Sequence, residues 1–224
     1  MIERISSDPA SAIVSDAIEY VNQRPSQEIH IALTGGRAGQ IITAGLLAAL
    51  GDNPCVHFWW SDERFVDSQS ADRTAKGIDA LDLKCHVHIS QDPHEADDAN
   101  ASALVYAATL HKYTTTRFCS DNSMMDICIL SVGPDGHIAS LFPGHQALDS
   151  SAAVIAIADS PKPPAERVTW TYPTINASRE IWLVATGEEK RQAVSSLRDG
   201  VDFHDCPAAG AHGKLATVLY TDLT

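Results

Sequence analysis

The sequence predicts a Rossmann-like α/β domain with a mostly parallel, doubly wound sheet and helices on both of its faces. Three observations lead there. Apolar runs of strand length alternate with segments of helical period, and the runs end abruptly in glycines or charges. The third is size: 224 residues, 44% hydrophobic and 20% charged, are enough for one buried core.

The elements follow in order. Asp8-Pro9 reads as an N-cap and first helical position, and Ile13, Val14, Ala17, Ile18 and Val21 repeat at helical period to Asn22. Residues 28–34 form an apolar strand stopped by Gly35-Gly36, and residues 38–50 form a helix apolar nearly all round. Residues 55–61 make a second strand that ends in Asp62-Glu63-Arg64. A helix is expected over 72–81, a short strand over 86–89 and a long helix over 95–117. Strands are expected over 126–132, 152–158, 167–172, 180–186 and 214–220, with a helix over 188–198. The proline-rich stretch 160–166 reads as a stiff surface loop.

Charge and cysteines narrow the function classes. A formal net charge of −13 argues against nucleic acid or an anionic membrane surface as partner. No apolar run approaches the ~20 residues of a membrane span, and the start does not read as a secretory signal. Cys55, Cys85, Cys119, Cys128 and Cys206 stand far apart without paired spacing, which favours buried thiols and the cytoplasm.

Open parallel sheets bind ligands beyond the carboxyl ends of their strands, where four polar clusters fall. Gly35-Gly36-Arg37 precedes a helix, so its backbone can approach a phosphate and Arg37 can add a charge-assisted bond; the alternative is a plain turn with a solvated arginine. Asp62 and Arg64 can orient a substrate hydroxyl and a carbonyl, or form a solvated loop. Gly133-Pro134-Asp135-Gly136-His137 is a tight turn that delivers His137 to an expected helix start. Histidine titrates near neutrality and suits general-base work there, with Asp135 to orient it or to fix a substrate hydroxyl; a packing or surface histidine is the bland alternative. Arg167 and Lys190 are the fourth pair, and a lysine in a first helical turn is unfavourable unless it faces an anion. His86 and His88 share a strand face but lack a second ligand pair, and Ser140, one helical turn from His137, lacks an oriented third group, so neither a metal site nor a serine nucleophile is expected.

In this order and spacing, LTGGRAG (33–39), WWSDERFV (59–66), DICILSVGPDGHIASLFPGH (126–145), the 159–190 segment and PAAGAHGK (207–214) resemble the 6-phosphogluconolactonase family, within the wider group that includes glucosamine-6-phosphate deaminases. The resemblance spans nearly the whole chain and implies one domain over residues 1–224. It implies hydrolysis of 6-phospho-D-glucono-1,5-lactone to 6-phosphogluconate in the oxidative pentose phosphate pathway, with no metal or organic cofactor. Carried over by motif, His137 is the general base and Arg64 the ligand on the lactone carbonyl side, with backbone N–H groups at Gly136–His137 as further oxyanion donors. Gly35, Gly36, Arg37, Arg167 and Lys190 form the phosphate cradle. The small-molecule substrate would be met by a monomer or small homo-oligomer. Deaminases of the group carry a glutamate five residues after the histidine, where this chain has Phe142. A non-catalytic sugar-phosphate sensor would keep the cradle and dispense with His137 and Arg64.

Overall fold

A computed structural model describes residues 1–115 and 122–224. Cys119 and the end of the helix expected to reach residue 117 lie outside them. Among the described residues, seven parallel strands form the main sheet, in the order β1-β10-β9-β6-β2-β3-β5. Their ranges are β1 Ile2–Ile5, β2 Ile29–Leu33, β3 Val56–Trp60, β5 His86–His88, β6 Ile127–Ser131, β9 Glu180–Ala185 and β10 Ala216–Thr221. β2, β3 and β5 run outward on one side and β6, β9 and β10 on the other, with β1 added beyond β10. The β2–β6 pair is therefore the topological switch point.

Strand alternation splits the interior into two layers. Ile29, Ile31 and Leu33 of β2, Ile127 and Ile129 of β6, and Trp182 and Val184 of β9 face helices α1 (Pro9–Asn22) and α2 (Gly36–Leu50). Ala32, Cys128, Leu130, Ile181 and Leu183 face the other way, against α3 (Ala99–Thr115) and α5 (Arg191–Asp199). Helix α1 starts where its cap predicts, with the Ser11 N–H donating to Asp8 Oδ1 at 3.1 Å. Helix α2 packs so tightly on its preceding strand that a Cβ at Gly39 would lie 2.2 Å from the Thr34 carbonyl oxygen.

Four expectations are corrected. The strands expected over 152–158 and 167–172 do not join the parallel sheet. As β7 (Val154–Ile157) and β8 (Arg167–Trp170) they make an antiparallel sheet with β4 (Asp62–Arg64), in the order β4-β8-β7. The chain leaves β3 at Ser61, whose carbonyl accepts from the Trp170 N–H at 2.8 Å, and this contact draws the Asp-Glu-Arg run onto β8. The helix expected over 72–81 is instead a set of turns ending in a 3-10 turn, Ile78–Ala80. The Thr74 and Ala75 N–H groups donate to the buried Glu63 carboxylate, at 2.9 and 2.8 Å, rather than to a helix ladder, and Gly77 has a φ of +79°. No helix begins at His137: Leu141 N–H donates to the Ile138 carbonyl across a turn in which Ala139 has a φ of +48°. The helix expected over 188–198 opens with a 3-10 turn, Glu188–Lys190. Three strands or α-helices were not anticipated: the exposed β1, the charged β4, and α4 (Tyr172–Ile175), one turn after β8.

Cys85, Cys128 and Cys206 are buried, and no helix among the described residues is long and apolar enough to cross a membrane. At the amino ends of the strands lies a row of imidazoles. His30, His57 and His86 are register neighbours with stacked rings 4.3 and 4.2 Å apart. His88 is stacked on Trp59 and bonded to His57, and burial, followed by the neighbouring His57 and His86, pushes its pKa down to about 3. The unfolded chain then takes up this proton first, near pH 6.5. The stability it contributes above pH 6.5 is lost as pH falls towards about 3. Urea unfolding should show stability falling by up to about 1.4 kcal/mol per pH unit below pH 6.5, with a shallower slope in His88→Phe.

Candidate active site

The carboxyl ends of β2, β6 and β9, together with β4 and the loop before β8, enclose a cleft of about 560 Å³. Gly35, Gly36, Arg37, Asp62, Arg64, His137, Arg167 and Lys190 all line it, and Asp135 stands directly behind His137. The four clusters named from sequence therefore meet in one place. At the switch point, the Ser131 N–H donates to Thr34 Oγ1 at 3.0 Å and ties the ends of β2 and β6 together beneath the cleft.

Two glycines set the position of the histidine. A Cβ on Gly133 would fall 1.8 Å from His137 Nδ1, so the ring lies against bare backbone. Gly136, with a φ of +82°, lets the turn close against Cys206. His137 Nδ1 pairs with Asp135 Oδ1, which leaves Nε2 as the ring nitrogen able to take a proton. Phe142 stacks on the imidazole with centroids 4.9 Å apart. Burial alone would raise the Asp135 carboxyl, but its bonds to His137 and Lys162 outweigh that and hold it well below the usual carboxylate range. The backbone donor expected at the turn is already used: the Gly136 N–H donates to the Gly133 carbonyl at 2.9 Å. The His137 N–H points towards Asp135 Oδ1 at 3.4 Å.

The cationic groups divide into two kinds. Arg37 stands in the first turn of α2, whose N-cap, Gly35, makes no side-chain capping bond, so the helix start opens into the cleft. Lys190 precedes α5, and burial, followed by the charge of Lys162, lowers its pKa. Arg64 donates from Nη1 to the Asp72 carbonyl at 2.6 Å. Arg167 is almost wholly buried, and its guanidinium turns inward. Nε donates to the Pro164 carbonyl at 3.1 Å, Nη2 to the Lys162 carbonyl at 2.8 Å, and Nη1 approaches Ser140 Oγ at 3.5 Å. Asp62 is held within the same group, accepting from Ser140 Oγ at 2.8 Å, and Ser140 is buried.

Two residues were missed from the sequence. Glu63 is buried, and burial raises its carboxyl; it accepts from three backbone N–H groups, those of Arg64, Thr74 and Ala75, and so fixes the loop beneath Arg64. Its place between two named charges was the available signal. Lys162, in the proline-rich loop, places Nζ 3.0 Å from His137 Nδ1 and 3.1 Å from Asp135 Oδ2. No sequence pattern joined it to His137.

Among the described residues, one group outside the cleft has metal-ligand chemistry. Glu28, His30 and His57 bring one ligand atom each within 4.8 Å at the opposite end of the sheet. Trp59 Nε1 donates to His30 Nδ1 at 3.0 Å, which places the proton of a neutral His30 on Nε2 and removes the lone pair a metal would need there.

The family model for glucosamine-6-phosphate isomerases and 6-phosphogluconolactonases matches residues 3–219. This chain belongs to that family. A 6-phosphogluconolactonase of Streptomyces coelicolor is 33% identical over 98% of this chain and 88% of its own length. A probable 6-phosphogluconolactonase of Oryza sativa subsp. japonica is 38% identical over 95% and 80%. Among solved structures, the 6-phosphogluconolactonase of Thermotoga maritima has the same fold, with a TM-score of 0.82 over 98% of each chain at 22% identity. Family members share the scaffold, and the Gly133 contact gives this one a test of its cleft. Gly133→Ala should displace the His137 ring while the protein stays folded. The expected readout is changed His137 ring resonances in NMR spectra, with urea unfolding altered by no more than about 1 kcal/mol.

Proposed function

We propose that this chain is a 6-phosphogluconolactonase, hydrolysing 6-phospho-D-glucono-1,5-lactone to 6-phosphogluconate in the oxidative pentose phosphate pathway. The observation that carries this reading is the Asp135-backed imidazole of His137 in a cleft lined by Arg37, Arg64 and Lys190, with Phe142 stacked on the ring. A deaminase of this family would require a carboxylate where Phe142 stands. The buried phenyl ring offers none. A non-catalytic sensor has no use for an oriented base.

In the mechanism we assign, the substrate phosphate sits at the start of α2, held by backbone N–H groups after Gly35-Gly36, by Arg37 and by Lys190. Binding energy from this remote group positions the reactive ring. His137 Nε2 takes a proton from water as the oxygen attacks the lactone carbonyl, and Asp135 steadies the imidazolium that forms. Arg64 stabilises the oxyanion of the tetrahedral intermediate. Collapse of that intermediate breaks the bond to the ring oxygen, which takes the proton from His137 and leaves as the C5 hydroxyl. The product is 6-phosphogluconate. Arg167 contributes through the loop it holds, since its donors are directed inward. Buried thiols favour the cytoplasm as the place of work.

His137→Ala should lower lactone hydrolysis by about 10²–10⁴-fold after the spontaneous reaction is subtracted. A wild-type rate in that variant would sink the base assignment, and faster ammonia release from glucosamine 6-phosphate would displace the lactonase reading. Arg37→Ala should reduce kcat/KM for the phospholactone by roughly 10–100-fold. It should leave hydrolysis of the same lactone without its phosphate nearly unchanged, which separates phosphate binding from ring chemistry.

A further inference from the structure

We propose that Lys162 is a positioning residue for the His137–Asp135 pair: its ammonium holds Asp135 in place while offsetting the carboxylate's charge, so that His137 is oriented without being kept protonated. This rests on the lactonase reading for its kinetic consequence, though not for its electrostatic one.

The geometry fixes the donors. His137 Nδ1 pairs with Asp135 Oδ1, and Lys162 Nζ lies 3.3 Å from that oxygen, 3.1 Å from Oδ2 and 3.0 Å from Nδ1. Nδ1 cannot both donate to Asp135 and accept from lysine. Its proton goes to the carboxylate, Lys162 donates to the same carboxylate, and the cation is left beside the ring edge. A carboxylate alone beside an imidazole favours the imidazolium, and a protonated ring cannot act as a base. A cation at this distance opposes the imidazolium and leaves the orienting bond intact.

The loop is built to hold that cation. The Lys162 carbonyl accepts from Arg167 Nη2 at 2.8 Å and from Ser160 Oγ at 2.9 Å, and Pro163 and Pro164 follow directly. Arg167 also binds the Pro164 carbonyl, so the first residue of β8 clamps the lysine's own carbonyl and the segment that follows it. The Phe142 ring lies 5.7 Å from Lys162 Nζ, beneath both the lysine and the imidazole. The other charged groups around the pair are Lys190 and Glu189 before α5, Arg64 and Asp62 on β4, and Arg167 on β8; Cys206 packs against the turn from the far side. Both neighbours record the lysine charge: it lowers the carboxyl of Asp135 and the ammonium of Lys190.

The test compares the intact protein with Lys162→Met, Lys162→Gln and Lys162→Arg. The first readout is the pH profile of kcat/KM on freshly generated phospholactone, corrected for spontaneous hydrolysis. The second is the titration of the His137 ring resonances by NMR, which needs no substrate. Met and Gln should move the acid limb and the ring titration together to higher pH by about one unit, and Arg should restore both. At a pH below the limb, the Met and Gln variants should lose about tenfold in kcat/KM. A ring titration in Met and Gln that coincides with wild type, or moves to lower pH, overturns the proposal even where activity is lost, because a purely structural lysine would not move it. A ring titration that moves as expected in a protein with no lactonase activity supports the positioning role and instead overturns the function assigned above.

Discussion

The cleft depends on one steric constraint, the bare α-carbon of Gly133. The His137 ring occupies the space that any side chain there would fill, with Nδ1 1.8 Å from the position of a Cβ. Around that contact the loop closes on itself: the Gly133 N–H donates to the His137 carbonyl at 2.8 Å, and the Gly136 N–H donates back to Gly133. A five-residue turn thus becomes a rigid mount at the end of a central strand. The switch point places that mount beside the start of α2, so the Asp135-backed imidazole and the open helix start share one cleft.

Electrostatics in the cleft are decoupled from the charge of the whole protein. The chain carries −13, yet five cationic side chains line the cleft against three carboxylates. Asp62 is turned towards Ser140 and Arg167, and Asp222 accepts the Gly187 N–H at 3.0 Å, so two of those carboxylates are engaged by the protein itself. Exposed charges act over only ~8 Å at physiological salt. The acidic exterior therefore does little to an anion inside the cleft, where local cations decide.

How much was legible follows from whether one local signal coincided with burial. Strands β2 and β3 are buried at all five positions and read plainly as apolar runs, as did β6 and β9. Helix α1 carried both a cap and a period. Strand β1 is exposed throughout and shows only in its pairing with β10. Strand β4 is three charged residues long, and what makes it a strand is pairing with β8 about a hundred residues away. The expected helix over 72–81 failed because the Glu63 carboxylate, on the neighbouring strand β4, accepts the Thr74 and Ala75 N–H groups. In the site the glycine-rich turns were readable because glycine reports on backbone. Lys162 was not, because a proline-rich loop shows no sign of what its lysine meets twenty-five residues upstream.

The small antiparallel sheet explains why the cleft holds two arginines of different character. Its register sets Arg64 opposite Arg167, a like-charge pairing that is unfavourable unless each charge has its own partner. Arg167 resolves this inward: burial lowers its pKa, with Asp62 opposing and the charge of Arg64 adding to that effect, and its guanidinium donates to the carbonyls of the 162–164 loop. The Arg64 guanidinium donates to the Asp72 carbonyl, and it lines the cleft together with Arg37, Lys162 and Lys190. Mutual repulsion among these cations is part of the free energy of the unliganded fold. An anion placed in their midst would relieve it, and by mass action a ligand bound there would stabilise the folded chain.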